Sequence, residues 1–254
     1  MLPMEPIAVM LMLILMVGPM LRWRGDQASR LTGRAILPLG IAAVTGAAIA
    51  VLHTEAGLYP IVAIALSAGL AAASFMPLAG RNLWRTPLPI YGMVLAHFGL
   101  AVSIFGMASE SGFSSERLAA IGEGQTASVA DWQVKLKSVM PVVGENWIAL
   151  EGEMVATRGS ETFTLHPQTR QFFTPEQQTS EAALLTRWDG QLYAVIAPAG
   201  DGKSDHWQIR LWWKPFVSMI WFGGALVALG GLLALLGRLF RRARREPQNK
   251  WAQI

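Results

Sequence analysis

Residues 89–107, "PIYGMVLAHFGLAVSIFGM", form an apolar run with a single imidazole, His97, near its middle. A bilayer core about 30 Å thick is crossed by about 20 apolar residues of helix, so this run predicts a membrane-spanning helix. Small residues recur along it at spacings of three and four, which places them on one helical face. They are Gly92, Ala96, Gly99, Ser103 and Gly106. His97 falls about 140° from that face, so one side is expected to pack against a neighbour while another presents an imidazole.

Four further apolar runs of similar length accompany this one. They are residues 7–21, 35–52, 58–78 and 216–237. The long stretch between the fourth and fifth runs has a different, more polar character. The sequence therefore predicts an α+β membrane protein, in which five transmembrane helices carry a small antiparallel β-rich domain inserted between helices four and five.

Alternation of apolar and polar residues replaces helical periodicity in residues 108–213. Segments such as "WQVKLKSV" and "QLYAVIAP" are separated by the turn sequences "VVGEN", "TRGS" and "WDG". The pattern predicts six to eight short antiparallel strands in a small sandwich or barrel. Trp212, Trp213 and Lys214 are interpreted as an interfacial aromatic belt, and Pro215 as the start of helix five.

The distribution of basic residues predicts the membrane topology. Arginines crowd residues 22–34, the loop with Arg81 and Arg85, and the tail from residue 238 onward, whereas the loop "HTEAG" has no Lys or Arg. Short loops rich in Lys and Arg stay in the cytoplasm. The predicted order is four helices in residues 1–107 with the N-terminus outside, an outward β domain in 108–213, a fifth helix in 214–238 and a basic cytoplasmic tail in 239–254. Binding of anionic lipid or nucleic acid by "RLFRRARR" is an alternative, but topology already explains that cluster.

The ends of the sequence and its cysteine content restrict the interpretation further. No cysteine occurs, so this chain forms no disulfide and performs no thiol exchange. The first apolar run is not expected to be a signal peptide, because no Lys or Arg precedes it in this sequence. A helix that enters from outside with no preceding span suggests a section of a larger membrane protein.

His97 is the residue that most needs a function, since an ionisable group at mid-membrane depth is costly without a partner. It can hydrogen-bond a Ser, a Thr or a backbone carbonyl of a neighbouring helix. It can relay protons, although the predicted helices offer no Asp, Glu or second His at similar depth. It can also ligate haem iron, which requires a second axial ligand. His53 is assigned to the outer rim of helix two, and His166 and His206 to solvated turns of the β domain.

The aromatic and polar segment "RQFFTPEQQTSEAALLTRW", residues 170–188, is the second candidate site. It is interpreted either as a long ordered loop joining two strands or as a docking surface for a partner protein. The docking interpretation rests on Arg170, Phe172, Phe173 and Glu181, which combine a guanidinium, two rings and a carboxylate. No Gly-rich phosphate loop, Ser-His-Asp set or paired carboxylate occurs, so no catalytic residue is assigned.

Four stretches together resemble one known family. "MVLAHFGLAVSIFGM", "GENW", "RQFFTPEQQTSEAAL" and "QIRLWWKPFVSMIWFGGALVALGGLLALL" are similar to the C-terminal part of the CcmF/NrfE-type haem lyases of bacterial cytochrome c maturation. The resemblance covers essentially the whole chain but only about the last two-fifths of a typical member. It implies the bacterial inner membrane with the β domain in the periplasm, and a transmembrane haem b for which His97 is one of two axial ligands.

The resemblance also implies partners and the limits of activity. The other haem ligand and the family's tryptophan-rich motif lie in the N-terminal part, so haem binding and lyase activity are expected only with an N-terminal CcmF-like chain or section. Further expected partners are the haem chaperone CcmE, apocytochrome c and thiol-handling subunits such as CcmH, with no nucleic acid. The alternative function is a non-catalytic membrane scaffold, whose β domain binds a partner protein and whose His97 is structural.

Overall fold

The computed structural model describes residues 4–18, 28–199 and 205–243. Two compact units are present: a helical unit drawn from Met1–Gly112 and Met219–Ile254, and a β unit, Phe113–Ser218. The basic tail from residue 244, and the arginines at positions 22 and 24 that contributed to the topology argument, lie outside the described residues.

The helical unit contains a helix that overlaps each of the five predicted apolar runs. Its helices are α1 Met4–Val17, α2 Ala28–Leu52, α3 Leu58–Phe75, α4 Leu88–Phe113 and α5 Ser218–Ala243. Within the described ranges, four helical stretches are long and apolar enough to cross a membrane: Thr32–Leu52, Leu58–Leu78, Leu88–Phe113 and Ser218–Arg241. α1 is shorter, and the end of the first predicted span, residues 19–21, lies outside the described residues. A fifth span therefore remains a prediction.

One buried apolar cluster joins three of these helices. Met16 of α1 and Leu70 and Ala73 of α3 pack with Ala101 and Ile104 of α4. The hydroxyls of the buried Ser67 and Ser74 donate to carbonyls of their own helix, both at 2.7 Å. The polar groups of these side chains are thus satisfied locally, as an apolar environment requires.

α4 and α5 approach each other through small residues. A Cβ placed on Gly92 would lie 2.5 Å from the carbonyl oxygen of Gly230, and one on Gly99 would lie 2.6 Å from that of Gly223. Ser103 Oγ donates across the same contact to the carbonyl oxygen of Ile220 at 3.0 Å. The predicted small-residue face of α4 is therefore the face that packs against a neighbour, and that neighbour is α5.

The β unit consists of antiparallel strands, with more strands than the predicted six to eight. Between Phe113 and Ser218 the described residues form ten: β1 Ser115–Gly122, β2 Thr126–Val129, β3 Trp132–Val143, β4 Trp147–Arg158, β5 Glu161–Leu165, β6 Gln168–Phe173, β7 Glu176–Glu181, β8 Ala183–Thr186, β9 Gly190–Pro198 and β10 His206–Pro215. One sheet has the order β1-β10-β9-β8, and the other β2-β3-β4-β6-β7 with β5 paired to β4.

The core of the β unit lies between these two sheets. Trp132, Val134 and Leu136 of β3 alternate with exposed residues and are fully buried, as are Leu192 of β9 and Leu211 of β10. Alternate residues of a strand point to opposite faces, so this pattern buries one face of each sheet. Burial of each large apolar side chain stabilises the fold by about 1.5–3 kcal/mol.

One sequence interpretation is wrong at the end of the β unit. Pro215 is the last residue of β10 rather than the start of the helix, which begins at Ser218. Trp212 and Trp213 belong to β10, and the ring of Trp213 lies 5.9 Å from that of the buried Trp132. Their place at a membrane interface stays a prediction.

Candidate functional site

The imidazole of His97 is oriented by its own helix. Nδ1 lies 2.9 Å from the carbonyl oxygen of Met93, one turn earlier in α4. A carbonyl only accepts hydrogen bonds, so Nδ1 carries the proton and donates it. In the neutral ring the lone pair is then on Nε2, which is the form of imidazole that ligates metals.

The surroundings of His97 are apolar. In the described part of the chain, Nε2 has no hydrogen-bond partner, and the bond at Nδ1 is not made to a neighbouring helix. By the helical repeat, His97 shares a face with Ala101 and Ile104, which belong to the buried cluster with α3. Phe98 also packs against Phe75 of α3, with ring centroids 5.3 Å apart. The imidazole therefore lies on the α3 side of α4, partly exposed.

The second candidate site is a hairpin rather than the long ordered loop that was the alternative to docking. Residues 168–173 form β6 and residues 176–181 form β7, joined at Thr174 and Pro175. The loop interpretation was wrong because "EQQTSE" has no apolar alternation. Nearly every residue of β7 is exposed at the edge of its sheet, so no pattern of burial marks it as a strand.

Arg170 is held at the centre of this hairpin by three contacts. Its guanidinium carbon lies 4.5 Å above the ring of Trp147, and Nε donates to Oε1 of Gln168 at 2.8 Å. Nη1 is 3.6 Å from Oε1 of Glu181. Gln168 in turn donates to the carboxylate of Glu151. The stacked, bonded guanidinium is fixed in orientation while about a quarter of its surface, 28%, stays exposed.

The structure brings together three of the four predicted docking residues. Strand register places opposite partners on the same face: Trp147 opposite Phe172, Glu151 opposite Gln168 and Gln168 opposite Glu181. We define the hairpin surface by the residues on this face: Trp147, Glu151, Gln168, Arg170, Phe172 and Glu181. Phe173 is one residue out of step with Phe172 and points to the other face, 55% exposed.

The sequence prediction did not include Trp147, Glu151 and Gln168, which the structure places on the same face as Arg170. Trp147 ends the "GENW" turn, one of the stretches that resemble the family, and β4 places it beside Phe172 of β6. The nearby His166, predicted as a solvated turn residue, lies between β5 and β6 with its Nδ1 3.3 Å from Oε1 of Glu151. No group of three or more His, Cys, Asp or Glu suited to a metal ion occurs in residues 4–18, 28–199 and 205–243.

Comparison with known proteins matches both units. A family model described as the CcmF C-terminal beta-sandwich matches residues 112–215. The chain is 33% identical over 95% of its length to the cytochrome c-type biogenesis protein CycK of Bradyrhizobium diazoefficiens, and covers 38% of that protein. It is 30% identical over 93% of its length to CcmF of Escherichia coli, and covers 37% of it. The chain thus spans little more than a third of the length of these relatives.

A solved structure has the same fold. The chain superposes on the cytochrome c haem lyase CcmF with a TM-score of 0.71 and 21% identity, covering 91% of this chain and 39% of the other. Apolar helices joined to an antiparallel sandwich define a membrane protein with one β domain. The chain belongs to the CcmF family, and it corresponds to the C-terminal part of its members.

Proposed function

We propose that this chain acts in cytochrome c maturation as the C-terminal section of a haem lyase, with His97 as one axial ligand of a transmembrane haem b. The family supports a role in attaching haem to cytochrome c, since the relatives are cytochrome c-type biogenesis proteins. The observation that carries the proposal for His97 is the hydrogen bond from Nδ1 to the carbonyl oxygen of Met93. It leaves Nε2 with a free lone pair in apolar surroundings.

The residues around His97 fit such a group. Metal-bound histidines commonly donate their second ring N–H to a carbonyl, which fixes the tautomer and raises the basicity of the ligating nitrogen. The apolar side chains on the same face of α4 suit the large apolar surface of a porphyrin. Haem iron, when bound, supplies one-electron chemistry whose potential depends on its axial ligands. Nε2 of His97 would hold the iron from one side, and the second ligand is proposed to come from an N-terminal CcmF-like chain or section.

The β unit is proposed to lie in the periplasm and to dock partners at the hairpin surface. Partners that bring haem or accept it, the haem chaperone CcmE and apocytochrome c, must reach the same side of the membrane as the reaction. Thiol-handling subunits such as CcmH are proposed to act there as well, because this chain has no cysteine. Arg170 and the rings of Trp147 and Phe172 offer the arginine and aromatic groups that are enriched at interfaces.

The visible spectrum of the assembled complex tests the haem proposal. The chain is co-expressed with its N-terminal section and purified as wild type, His97→Ala, His97→Gly and the control His53→Ala. We expect a Soret band in wild type and control, its loss in both His97 variants, and its return when imidazole is added to His97→Gly. The return separates loss of a ligand from loss of folding.

Two results would contradict the proposal. A Soret band of normal intensity and position in His97→Ala would show that His97 is not a ligand. No Soret band in the wild-type complex would favour the alternative function, a membrane scaffold whose β unit binds a partner protein.

A further inference from the structure

The turn between β8 and β9 exposes a large aromatic side chain. Trp188, the second residue of the sequence "RWDG", has 72% of its surface exposed. Its ring makes an edge-to-face contact with Phe216, with centroids 6.5 Å apart. A tryptophan this exposed to water loses the benefit of burying its apolar ring, so its position needs an explanation.

The turn is tied to the segment that leads into α5. The backbone N–H of Phe216 donates to the carbonyl oxygen of Asp189 at 2.9 Å. Ser218 Oγ donates to the carbonyl oxygen of Arg187 at 3.3 Å. Two hydrogen bonds and one ring contact therefore hold the turn that carries Trp188 beside Phe216 and beside Ser218, the first residue of α5.

The other side of the turn is anchored in the sandwich. Asp189 Oδ2 accepts from Arg158 Nη2 at 2.7 Å, and the Arg158 guanidinium lies 4.7 Å above the ring of the buried Trp132. Arg187 Nη2 is 2.9 Å from Oε1 of Glu161, the first residue of β5. The turn is thus held on both sides. Its large exposed side chain is the indole of Trp188.

The position of Ser218 sets the depth of the turn. Ser218 is the first residue of the stretch Ser218–Arg241, which is long and apolar enough to cross a membrane. A group bonded directly to the first turn of such a helix lies at the level where the helix enters the headgroup region. Tryptophan is enriched at that level, because its ring is apolar and its N–H needs a polar partner.

We propose that the β8–β9 turn is a lipid contact of the β unit, with the rings of Trp188 and Phe216 seated in the headgroup and glycerol region of the bilayer. The occupant is phospholipid rather than protein, because continuity with α5 brings the turn to the membrane whether or not a partner is bound. The proposal is independent of haem and of the hairpin surface.

Site-specific labelling tests the contact, since the chain has no cysteine of its own. Trp188→Cys and Phe173→Cys are each labelled with an environment-sensitive fluorophore, and the full chain is placed in phosphatidylcholine nanodiscs containing lipids spin-labelled near the headgroup. Phe173 is the matched control, because its ring is also exposed. It lies beside the Trp147 end of β4, whereas Arg158, at the other end of β4, contacts Asp189 of the β8–β9 turn. That strand of 12 residues separates the two ends by about 36 Å.

We expect blue-shifted emission and strong quenching at position 188, and at least about twofold weaker quenching at position 173. Equal quenching at the two positions would overturn the proposal. A second measurement needs no label: brominated lipid should quench the intrinsic fluorescence of the wild type more than that of Trp188→Phe. An unchanged quenchable fraction in Trp188→Phe would also overturn it.

Discussion

At the residue scale, the stacking of Arg170 on Trp147 creates a rigid cation on an otherwise polar hairpin. The guanidinium uses its plane for the ring and its nitrogens for Gln168 and Glu181. Lysine keeps the charge but lacks both the plane and the fork of donors. We therefore predict that Arg170→Lys lowers capture of CcmE or apocytochrome c several-fold in pull-downs from the complex.

Phe173→Ala is the control for that prediction. It removes an exposed ring from the same hairpin but from the opposite face, so capture should stay at the wild-type level. If Arg170→Lys captured as well as wild type, or if Phe173→Ala lost as much, the hairpin surface would not be the docking surface.

The ion pair between Glu116 and Arg210 is expected to depend on pH. The hydrogen bond from Arg210 lowers the pKa of the Glu116 carboxyl, and the same guanidinium lies 4.4 Å above the ring of Trp212. A carboxyl whose pKa is lower in the folded state stabilises the fold above its unfolded pKa, and this contribution disappears as the pH falls through the folded pKa.

We predict that Glu116→Gln slightly lowers the unfolding temperature of the β unit near neutral pH. The unfolding temperature of the variant should also fall less steeply than that of the wild type as the pH is lowered. Tryptophan fluorescence during thermal unfolding, at several pH values from neutral to about pH 3, measures this. Glu145→Gln, in the exposed turn before β4, is the control and should keep the wild-type slope. Parallel acid curves for wild type and Glu116→Gln would exclude the contribution.

At the element scale, the α4–α5 contact allows a matched comparison of neighbouring glycines. A Cβ on Gly223 or Gly230 would collide with the backbone of α4, whereas Gly224 and Gly231 have nothing within 4 Å. We predict that Gly230→Leu separates the helices and costs at least about 1–3 kcal/mol, as overpacking does. Gly231→Leu on the adjacent, open position should be close to neutral.

Unfolding of the purified chain by increasing fractions of SDS measures this difference. Gly223→Leu and Gly224→Leu repeat the comparison one heptad earlier in α5, at the level of Gly99. Equal midpoints for Gly230→Leu and Gly231→Leu would mean that the close approach of α4 and α5 does not stabilise the helical unit.

The spacing of residues in the sequence predicted some structural features and not others, for physical reasons. The small-residue face of α4 was predictable, because close approach of two helices leaves a regular mark at spacings of three and four. β6 and β7 were not, since an exposed edge hairpin buries too little to impose alternation. His97 was found from its depth alone, whereas its partner, the carbonyl of Met93, is a backbone atom that leaves no mark in the sequence.

At the scale of the whole molecule, the division into two units predicts that a substitution that destabilises one unit leaves the stability of the other unchanged. Trp132 is fully buried between the sheets, and Trp132→Ala should cost the β unit about 3–5 kcal/mol. Hydrogen exchange followed by mass spectrometry should rise in β3, β4, β9 and β10 and stay unchanged in α3 and α4. Trp84→Ala, at a position 99% exposed, is the control. An equal rise in both units would show that they unfold together.

Strand order was beyond the reach of the sequence. β1 pairs with β10 in a register that joins Ser115 to Trp213 across almost the whole β unit. Alternation shows which face of a strand is buried, but it does not show which strand lies beside it. The hairpin surface depends on the same kind of pairing, because Trp147 reaches Phe172 only through the register of β4 with β6.

That pairing of the first strand with the last has an evolutionary consequence. The chain leaves α4 and returns to α5 through neighbouring strands about 5 Å apart, a gap that a tight turn is able to bridge. The sandwich is therefore a module whose removal, enlargement or exchange does not require the two glycine-packed helices to move. Proteins with this architecture are free to change the surface of the sandwich while the surroundings of the partly exposed imidazole of His97 stay the same.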